Sequence, residues 1–370
     1  MRVTVPSQRI VLVTSSLAGG GAERVVAAMA RYWARVRRDV HVITLRADED
    51  DSAQTLGTDV PVHRLRLIAE NNPPFDWRHG LRLWRMRRAL LDLRPGVVIS
   101  FIDKLNTAVL LALTGTRVPV LATEHLVPWM KPVGQPWGFL RAAVYRRARA
   151  VISPVRAMTD WFAARLAGNF VTLRYPVELD LASPLPEARP PLILAAGRLA
   201  PEKGFDLLVE AFAEVARTNL QWRLEIVGDG PERSALRAQV AALGLDARVS
   251  LPGRVTDVAA RMRTAGLFVL SSRHEAYPMV LCEALAAGAA IVATDCPVGP
   301  RELIDDGRNG VLVPTESPMG LAQAMSELIN DPARRQQLGT AARAGASRLA
   351  LEAVMADWDR LVDKTLVVFP

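Results

Sequence analysis

The chain has 370 residues, 50% of them hydrophobic and 6% aromatic, which excludes a disordered chain and favours two domains. Its net charge of +8 is uneven, since residues 1–178 hold 26 Lys and Arg against 14 Asp and Glu, whereas residues 179–370 hold 20 against 24. The two cysteines, Cys282 and Cys296, exclude a disulfide framework and lack the spacing of a zinc site, so we expect a reducing, cytoplasmic location.

Short runs rich in Val and Ile alternate with longer Ala-, Leu- and Arg-rich segments from Arg9 onward. The runs are RIVLVTS, VHVITL, GVVISF, PVLAT and AVISP, followed by PLILAAG, LEIVGDG, RVSLPG, LFVLSS, AIVAT and GVLVP. The first run, RIVLVTS, is too short for a signal peptide, and no run approaches the roughly 18 apolar residues of a membrane-spanning helix. The alternation is typical of parallel strands covered by helices, and it occurs twice. Five prolines at 175–191 interrupt the hydrophobic periodicity of both helices and strands, so we predict the interdomain linker there.

These patterns predict an α/β fold of two Rossmann-like domains that face each other across a central cleft, at 1–178 and 179–351. Ligands are expected at the carboxyl ends of the strands. A last helix, at about 352–370, has one apolar face. It either completes the second domain or packs back on the first.

The positive charge of the first half falls in clusters at 31–39, 77–94 and 137–149, and the last two mix Arg with Trp, Leu and other apolar residues. Such a mixture suits an anionic membrane surface, although ordinary solvated helix faces are an alternative. We expect no nucleic acid partner, because no zinc-finger or RNA-binding signature accompanies the charge.

In the second half, the run PLILAAG leads into GRLAPEKG at 197–204 and then into a clearly helical segment. A glycine turn between a strand and a helix directs backbone N–H groups at an anion, and Arg198 and Lys203 add two cations. This combination predicts a diphosphate site, although the spacing is not that of a Walker loop.

A second anion-binding segment is predicted around Pro278, which starts a helix that runs to Gly288. Glu283 lies roughly one and a half turns into this helix, within reach of a ribose, and Glu275 precedes the helix near a sugar. In the alternative without a binding site, Glu283 is a solvated helix residue and Glu275 is an acidic residue of a loop. Free backbone amides near the start of this helix are expected to face the phosphates, and the predicted donor-binding positions there are Ala276, Tyr277, Pro278, Met279 and Val280.

Glu275 and Glu283 form an E-x7-E element. Together with GRLAPEKG, the loop at 295–314 and SLAGGGAERVV at 16–26, this element makes nearly the whole chain resemble the retaining GT-B glycosyltransferases of family 4. The combination of GGGAER with Thr-Glu-His at 123–125 is most similar to bacterial enzymes that extend lipid-linked oligosaccharides or polysaccharide repeat units.

The resemblance implies transfer of a hexose or N-acetylhexosamine from a UDP-linked donor to a lipid-linked or glycan acceptor, without a cofactor or metal, at the inner face of the cytoplasmic membrane. It assigns the donor diphosphate to Arg198 and Lys203, the ribose to Glu283 and the sugar hydroxyls to Glu275. His125 would face the donor sugar from the first domain and act in catalysis. Further positions implied are Gly20, Gly21, Gly197, Gly253, Arg254 and Val255 for the donor, and Arg24, Glu124 and His125 for the acceptor.

Other functions fit parts of the chain. The acidic stretch from Asp48 to Asp51 contains a D-x-D typical of metal-dependent GT-A transferases, but that assignment leaves the second half unexplained. A dinucleotide dehydrogenase is disfavoured because Arg24 stands where G-x-G-x-x-G requires glycine. A sugar-nucleotide epimerase and a catalytically silent glycan-binding scaffold share the expected fold and remain alternatives.

Overall fold

The computed structural model describes residues 8–18, 20–46, 56–57, 59–68 and 78–367. The chain divides into two compact units, one formed by Met1–Pro176 with Leu351–Pro370 and the other by Val177–Ala350. The acidic stretch from Asp48 to Asp51 lies outside the described residues.

The first unit contains a parallel sheet in the order β3-β2-β1-β4-β5-β6-β7. Its central strands are short runs of Val, Ile, Leu and Ala that are buried along their whole length, as expected for a parallel sheet covered on both faces. The strands are β1 Ile10–Thr14, β2 Val40–Arg46, β3 Val62–Ile68, β4 Val97–Phe101, β5 Val120–Thr123, β6 Ala150–Ser153 and β7 Phe170–Thr172. The helices described between them are α1 Gly21–Arg35, α2 Arg78–Asp92, α3 Asp103–Ala112, α4 Trp137–Tyr145 and α5 Arg156–Ala163.

The second unit contains a six-stranded parallel sheet in the order β10-β9-β8-β11-β12-β13. Its strands are β8 Leu192–Ala196, β9 Arg223–Val227, β10 Val249–Gly253, β11 Leu267–Leu270, β12 Ile291–Thr294 and β13 Val311–Val313. Its helices are α6 Phe205–Thr218, α7 Arg233–Ala242, α8 Val258–Thr264, α9 Met279–Ala286, α10 Pro300–Leu303, α11 Pro318–Asn330 and α12 Pro332–Gly345, with 3₁₀ turns at Pro201–Lys203 and Ala346–Leu349.

The last helix, α13 (Leu351–Val367), lies against α1 of the first unit. The indole Nε1 of Trp33 donates to Asp359 at 2.8 Å, and Arg38 pairs with Asp363 at 2.6 Å. Trp358 is fully buried, and its Nε1 donates to the carbonyl oxygen of Arg174 at 2.9 Å. Buried tryptophans and ion pairs therefore hold α13 against the first unit, which is the second of the two predicted alternatives. Within the described ranges, no helix is both long and apolar enough to span a bilayer.

Candidate active site

Two loops of the second unit meet at the carboxyl edge of its sheet. The first follows β8 and runs from Gly197 through the 3₁₀ turn to Gly204, directly before α6. The second follows β11 and runs from Ser271 to Pro278, directly before α9. Since β8 and β11 are hydrogen-bonded neighbours in a parallel sheet, their carboxyl ends carry both loops to the same place.

The loops are joined by their backbones. Gly204 has a left-handed φ of 60°, and a Cβ atom there would collide with the carbonyl oxygen of Ser271. The Ser271 hydroxyl donates to the carbonyl oxygen of Lys203 at 3.0 Å, and the backbone amide of Arg273 donates to the carbonyl oxygen of Glu202 at 2.9 Å. Only glycine permits both the backbone conformation and this close approach.

The side chains of Lys203 and Glu275 form an ion pair across this junction, with 2.7 Å between Nζ and Oε1. The Ser272 hydroxyl donates to the same carboxylate oxygen at 2.7 Å. Glu275 is only 8% exposed, so these two partners take the place of water around its carboxylate. The structure thus brings together two residues that the sequence assigned to different parts of a donor, one to the diphosphate and one to the sugar.

The other predicted residues of the first loop are more exposed. The Arg198 side chain is 63% exposed and pairs with Glu202. A Cβ atom at Gly197 would make only ordinary contacts, the nearest at 3.5 Å, so space does not require glycine there. Gly228, by contrast, has a φ of 140°, and its Cβ would collide with the carbonyl oxygen of Gly197. Sequence reasoning missed Gly228, although it follows a strand in the same way as Gly197.

Gly253, at the end of β10, lies beside that turn. It has a φ of 91°, and its carbonyl oxygen accepts from the amide of Gly228 at 2.9 Å. Arg254 is exposed, and Val255 is partly buried against the apolar core. The predicted segment therefore lies at the same sheet edge as the first loop, because β10, β9 and β8 are consecutive neighbours.

The helix α9 begins at Met279 and ends at Ala286, two residues before the predicted end. Gly288 itself has a left-handed φ of 61° and lies beyond the helix. The amides of Met279 and Val280 belong to its first turn, where N–H groups lack intrahelical acceptors.

The segment before α9 rests on the loop that follows β12. A Cβ atom at Gly299 would lie 3.1 Å from both the carbonyl oxygen of Ala276 and the Cδ of Pro278. In the same loop, the Cys296 thiol donates to the carbonyl oxygen of Ser272 at 3.0 Å. Burial raises the pKa of this thiol to about 12, so it stays neutral. Tyr277 is partly buried against the core.

Glu283, which is on α9, lies apart from the Lys203–Glu275 ion pair. It lines a small depression together with Arg263 and Asp180, which pair at 2.5 Å. The lining of this depression includes neither Lys203 nor Glu275. The two glutamates of E-x7-E therefore occupy different surroundings in the structure.

In the first unit, His125 follows the carboxyl end of β5. Its ring stacks on Tyr175 with 4.2 Å between centroids, and its Nε2 lies 3.0 Å from the Thr123 hydroxyl oxygen. The surrounding protein lowers the pKa of His125 to about 3, because burial disfavours the imidazolium. The ring is therefore neutral at neutral pH and can offer one donor and one acceptor.

Glu124 is 1% exposed, and its carboxylate accepts a hydrogen bond from the Tyr145 hydroxyl. Burial raises the pKa of Glu124 to about 7, against the opposing effects of Tyr145 and Arg141. The hydroxyl of Tyr175, on which His125 stacks, donates to the carbonyl oxygen of Glu124 at 2.6 Å. This burial argues against the direct acceptor contact expected for Glu124, and any influence on a ligand would pass through its neighbours.

Gly20 and Gly21 of SLAGGGAERVV lie at the start of α1. Gly20 precedes the helix in an extended conformation, and Gly21 is its first residue. A Cβ atom at Gly20 would collide with the carboxylate of Glu23, which also lies 3.3 Å from the Ser16 hydroxyl. An acidic side chain thus covers the helix start expected to approach a phosphate. Arg24 is exposed on the same helix.

Taken over the described part of the chain, no three His, Cys, Asp or Glu side chains are grouped so as to hold a metal ion. The second unit instead provides glycine turns, a helix start, a lysine–glutamate pair and an exposed arginine at one sheet edge. Backbone amides and cations in this arrangement can bind a diphosphate, and a carboxylate beside them can accept hydrogen bonds from sugar hydroxyls.

Comparison with known families matches both units. The model described as "Glycosyl transferases group 1" matches residues 178–345, and the "Glycosyl transferase 4-like domain" matches residues 20–174. The chain therefore belongs to the group 1 glycosyltransferases. Because each unit is a parallel sheet with helices, the predicted fold class of two Rossmann-like α/β domains is confirmed.

Several individual proteins are similar to this chain. The chain is 27% identical to a Campylobacter jejuni enzyme named GalNAc-alpha-(1->4)-GalNAc-alpha-(1->3)-diNAcBac-PP-undecaprenol alpha-1,4-N-acetyl-D-galactosaminyltransferase, over 96% of this chain and 98% of that protein. It is 32% identical to an exopolysaccharide phosphotransferase of Streptomyces coelicolor over 75% of this chain, but it spans only 29% of that protein. The crystal structure of Anabaena HepE with UDP and glucose has a TM-score of 0.82 and 20% identity, over 96% of this chain and 99% of HepE.

Proposed function

We propose that the protein is a retaining glycosyltransferase that moves a hexose or N-acetylhexosamine from a UDP-linked donor to a lipid-linked or glycan acceptor. The family supports glycosyl transfer. The UDP bound to HepE supports the nucleotide, and the name of the Campylobacter jejuni relative supports an acceptor on a lipid diphosphate. The biological role would be synthesis of a cell-surface polysaccharide or glycan.

The observation that carries this proposal is the pair of Lys203 and Glu275 at 2.7 Å. With a donor bound, Lys203 and Arg198 would contact the diphosphate, and Glu275 would accept hydrogen bonds from the sugar hydroxyls. The contacts with Lys203 and Ser272 hold the Glu275 carboxylate in one orientation, so this part of the site is built before the donor arrives. Glu283 would bind the ribose from its separate position on α9.

The proposed reaction needs no protein nucleophile. The acceptor hydroxyl oxygen bonds to the anomeric carbon on the face from which the diphosphate leaves. The bond between that carbon and the diphosphate oxygen breaks, its electron pair stays on the diphosphate, and the hydroxyl proton passes to the leaving oxygen. Lys203, Arg198 and the helix amides stabilise the charge that develops there, which is the role that a metal ion fills in other transferases.

His125 would contribute from the first unit as a neutral hydrogen-bonding group. Since its Nε2 faces the Thr123 hydroxyl, Nδ1 is the nitrogen assigned to the donor sugar. A neutral imidazole can orient a hydroxyl without placing a cation beside the anomeric centre, where positive charge develops in the transition state.

The test is transfer to a synthetic lipid-linked acceptor in the presence of EDTA, with the anomeric configuration of the product read by NMR. We expect transfer to persist in EDTA and the product to keep the α configuration of the UDP-sugar. A β-linked product would contradict retention, and activity lost in EDTA and restored by a divalent cation would contradict metal independence. Release of an isomerised sugar without an acceptor would favour the epimerase alternative.

We further propose that the first unit docks on an anionic membrane surface. Leu81 and Trp84 of α2 are 51% and 54% exposed, and Phe139 of α4 is 72% exposed. Both helices pack against α3, so these apolar side chains lie on one side of the sheet. Arg85 and Arg88 are exposed on α2 among them. Apolar side chains flanked by arginines suit the boundary between lipid headgroups and acyl chains.

Flotation with phosphatidylglycerol vesicles at low salt tests this docking. We expect the protein to float with these vesicles and to be released by salt, and we expect the doubly substituted Trp84→Ser, Phe139→Ser protein to float less. The exposed apolar residue Met319 of the second unit offers a matched control, Met319→Ser, which should float normally. Equal flotation with neutral phosphatidylcholine vesicles, or none with anionic ones, would overturn the proposal.

A further inference from the structure

The loop that carries Glu275 also carries Arg273, whose guanidinium collects contacts from three separate parts of the second unit. Its Nη1 and Nη2 donate to the two oxygens of Asp206 at 2.7 Å each. Nη1 also donates to the carbonyl oxygen of Pro201 at 2.9 Å, and Nε donates to Glu316 at 2.6 Å. A planar guanidinium can make all these bonds at once, whereas an ammonium group cannot.

These partners belong to the elements around the ion pair. Pro201 begins the 3₁₀ turn that ends at Lys203, and Asp206 is in the first turn of α6 directly after it. Glu316 follows β13 and has a left-handed φ of 56°, which is uncommon for a residue other than glycine. The backbone of Glu316 thus holds an unfavourable conformation while its carboxylate reaches Arg273.

The charges in this cluster are matched. Hydrogen bonding to Arg273 lowers the pKa of Asp206, and hydrogen bonding to Asp206 raises the pKa of Arg273. Each group therefore favours the ionised form of the other. The Arg273 side chain is 22% exposed, so water screens these contacts less than those of a surface pair.

We infer that Arg273 is a positioning residue of the transferase, which holds the loop of Lys203 in register with the loop of Glu275. This inference rests on the proposed function, because the register matters for catalysis only if Lys203 and Glu275 act on the donor. Lys203 is two residues after Pro201 and Glu275 is two residues after Arg273, so a shift of either loop would move one member of the pair. A misplacement of about 1 Å at such a site can reduce a rate by about 10²-fold.

The experiment compares Arg273→Lys with Arg248→Lys. Arg248 is also held by hydrogen bonds, at 2.9 Å from Nε to the carbonyl oxygen of Trp222 and at 2.8 Å from Nη2 to that of Asn219. It precedes β10 and so lies at the amino edge of the sheet, opposite the site. Both variants should lose thermal stability, but only Arg273→Lys should lose kcat, by about 10- to 100-fold. Free guanidinium ion should partly restore kcat in Arg273→Ala and should leave the kcat of Arg248→Ala, which is not expected to fall, unchanged.

Asp206→Asn provides a second variant if Arg273→Ala does not fold. Its kcat should fall as well, and the double variant with Arg273→Lys should be little worse than either single one, because the two residues act as a unit. A kcat for Arg273→Lys that matches Arg248→Lys at equal thermal stability would overturn the inference. A wild-type protein that neither binds UDP nor transfers sugar would instead overturn the proposed function.

Discussion

At the scale of single residues, two consecutive side chains of the first unit show how one physical cause can act in opposite directions. Burial raises the pKa of Glu124 to about 7 because it disfavours the carboxylate, and it lowers the pKa of His125 to about 3 because it disfavours the imidazolium. The folded state therefore favours the neutral form of both groups. A neutral His125 ring at this strand end suits recognition of hydroxyl groups better than recognition of phosphate.

The raised pKa of Glu124 predicts a specific pH dependence of stability. The stabilising effect is fully present below the unfolded pKa of about 4.5 and is lost as the pH rises through about 7, since the folded state binds the proton more tightly. Glu124→Gln removes this dependence. The free energy of unfolding of the wild type, minus that of Glu124→Gln, should therefore fall between pH 5 and pH 8 by an amount of the order of 3 kcal/mol.

Urea unfolding of both proteins across this range measures the difference. His125→Gln is the control with the opposite sign, because the stability associated with neutral His125 is present above about pH 6.5 and is lost as the pH falls toward about 3. Its difference from the wild type should stay constant above pH 7. A difference for Glu124→Gln that is constant from pH 5 to pH 8 would show that the carboxyl group is not desolvated.

At the scale of elements, alternating apolar runs predicted most strands, including β1, β8 and β11, because strands buried on both faces have a nearly uninterrupted apolar sequence. The two strands not predicted were β3, where Arg64 and Arg66 alternate with apolar residues at the sheet edge, and the three-residue β7. The end of α9 was placed two residues late, since the sequence continues with alanine to Gly288.

The contacts between elements were less accessible to sequence reasoning. Arg273 bonds to Asp206 and Glu316, which are 67 and 43 residues away along the chain, and no local pattern indicates that they meet. The collision that makes Gly228 necessary involves the backbone of Gly197, on a neighbouring strand end. Glycines and charged residues in the sequence indicated which loops form the candidate site. The contacts between these loops depend on which strands are neighbours in the parallel sheet.

At the scale of the whole molecule, the chain combines two Rossmann-like units of different charge. The basic first unit carries exposed aromatic residues, and the second carries the loops suited to a nucleotide-sugar. This division fits an enzyme that would meet a lipid-linked acceptor with one unit and a water-soluble donor with the other. The charge of the first half indicated an anionic membrane surface, whereas the residues expected to bind the donor were indicated by motifs of the second half.

The measurement that tests the central claim most directly is thermal stabilisation of the purified protein by UDP-GlcNAc, UDP-GalNAc, UDP-Glc, UDP-Gal and GDP-Man, without added metal. We predict that one UDP-sugar raises the Tm selectively and that Lys203→Ala abolishes this shift. Lys364→Ala, on the exposed surface of α13, should retain it as the matched control. No shift with any donor, or an undiminished shift in Lys203→Ala, would contradict the assignment of the Lys203–Glu275 pair to donor binding.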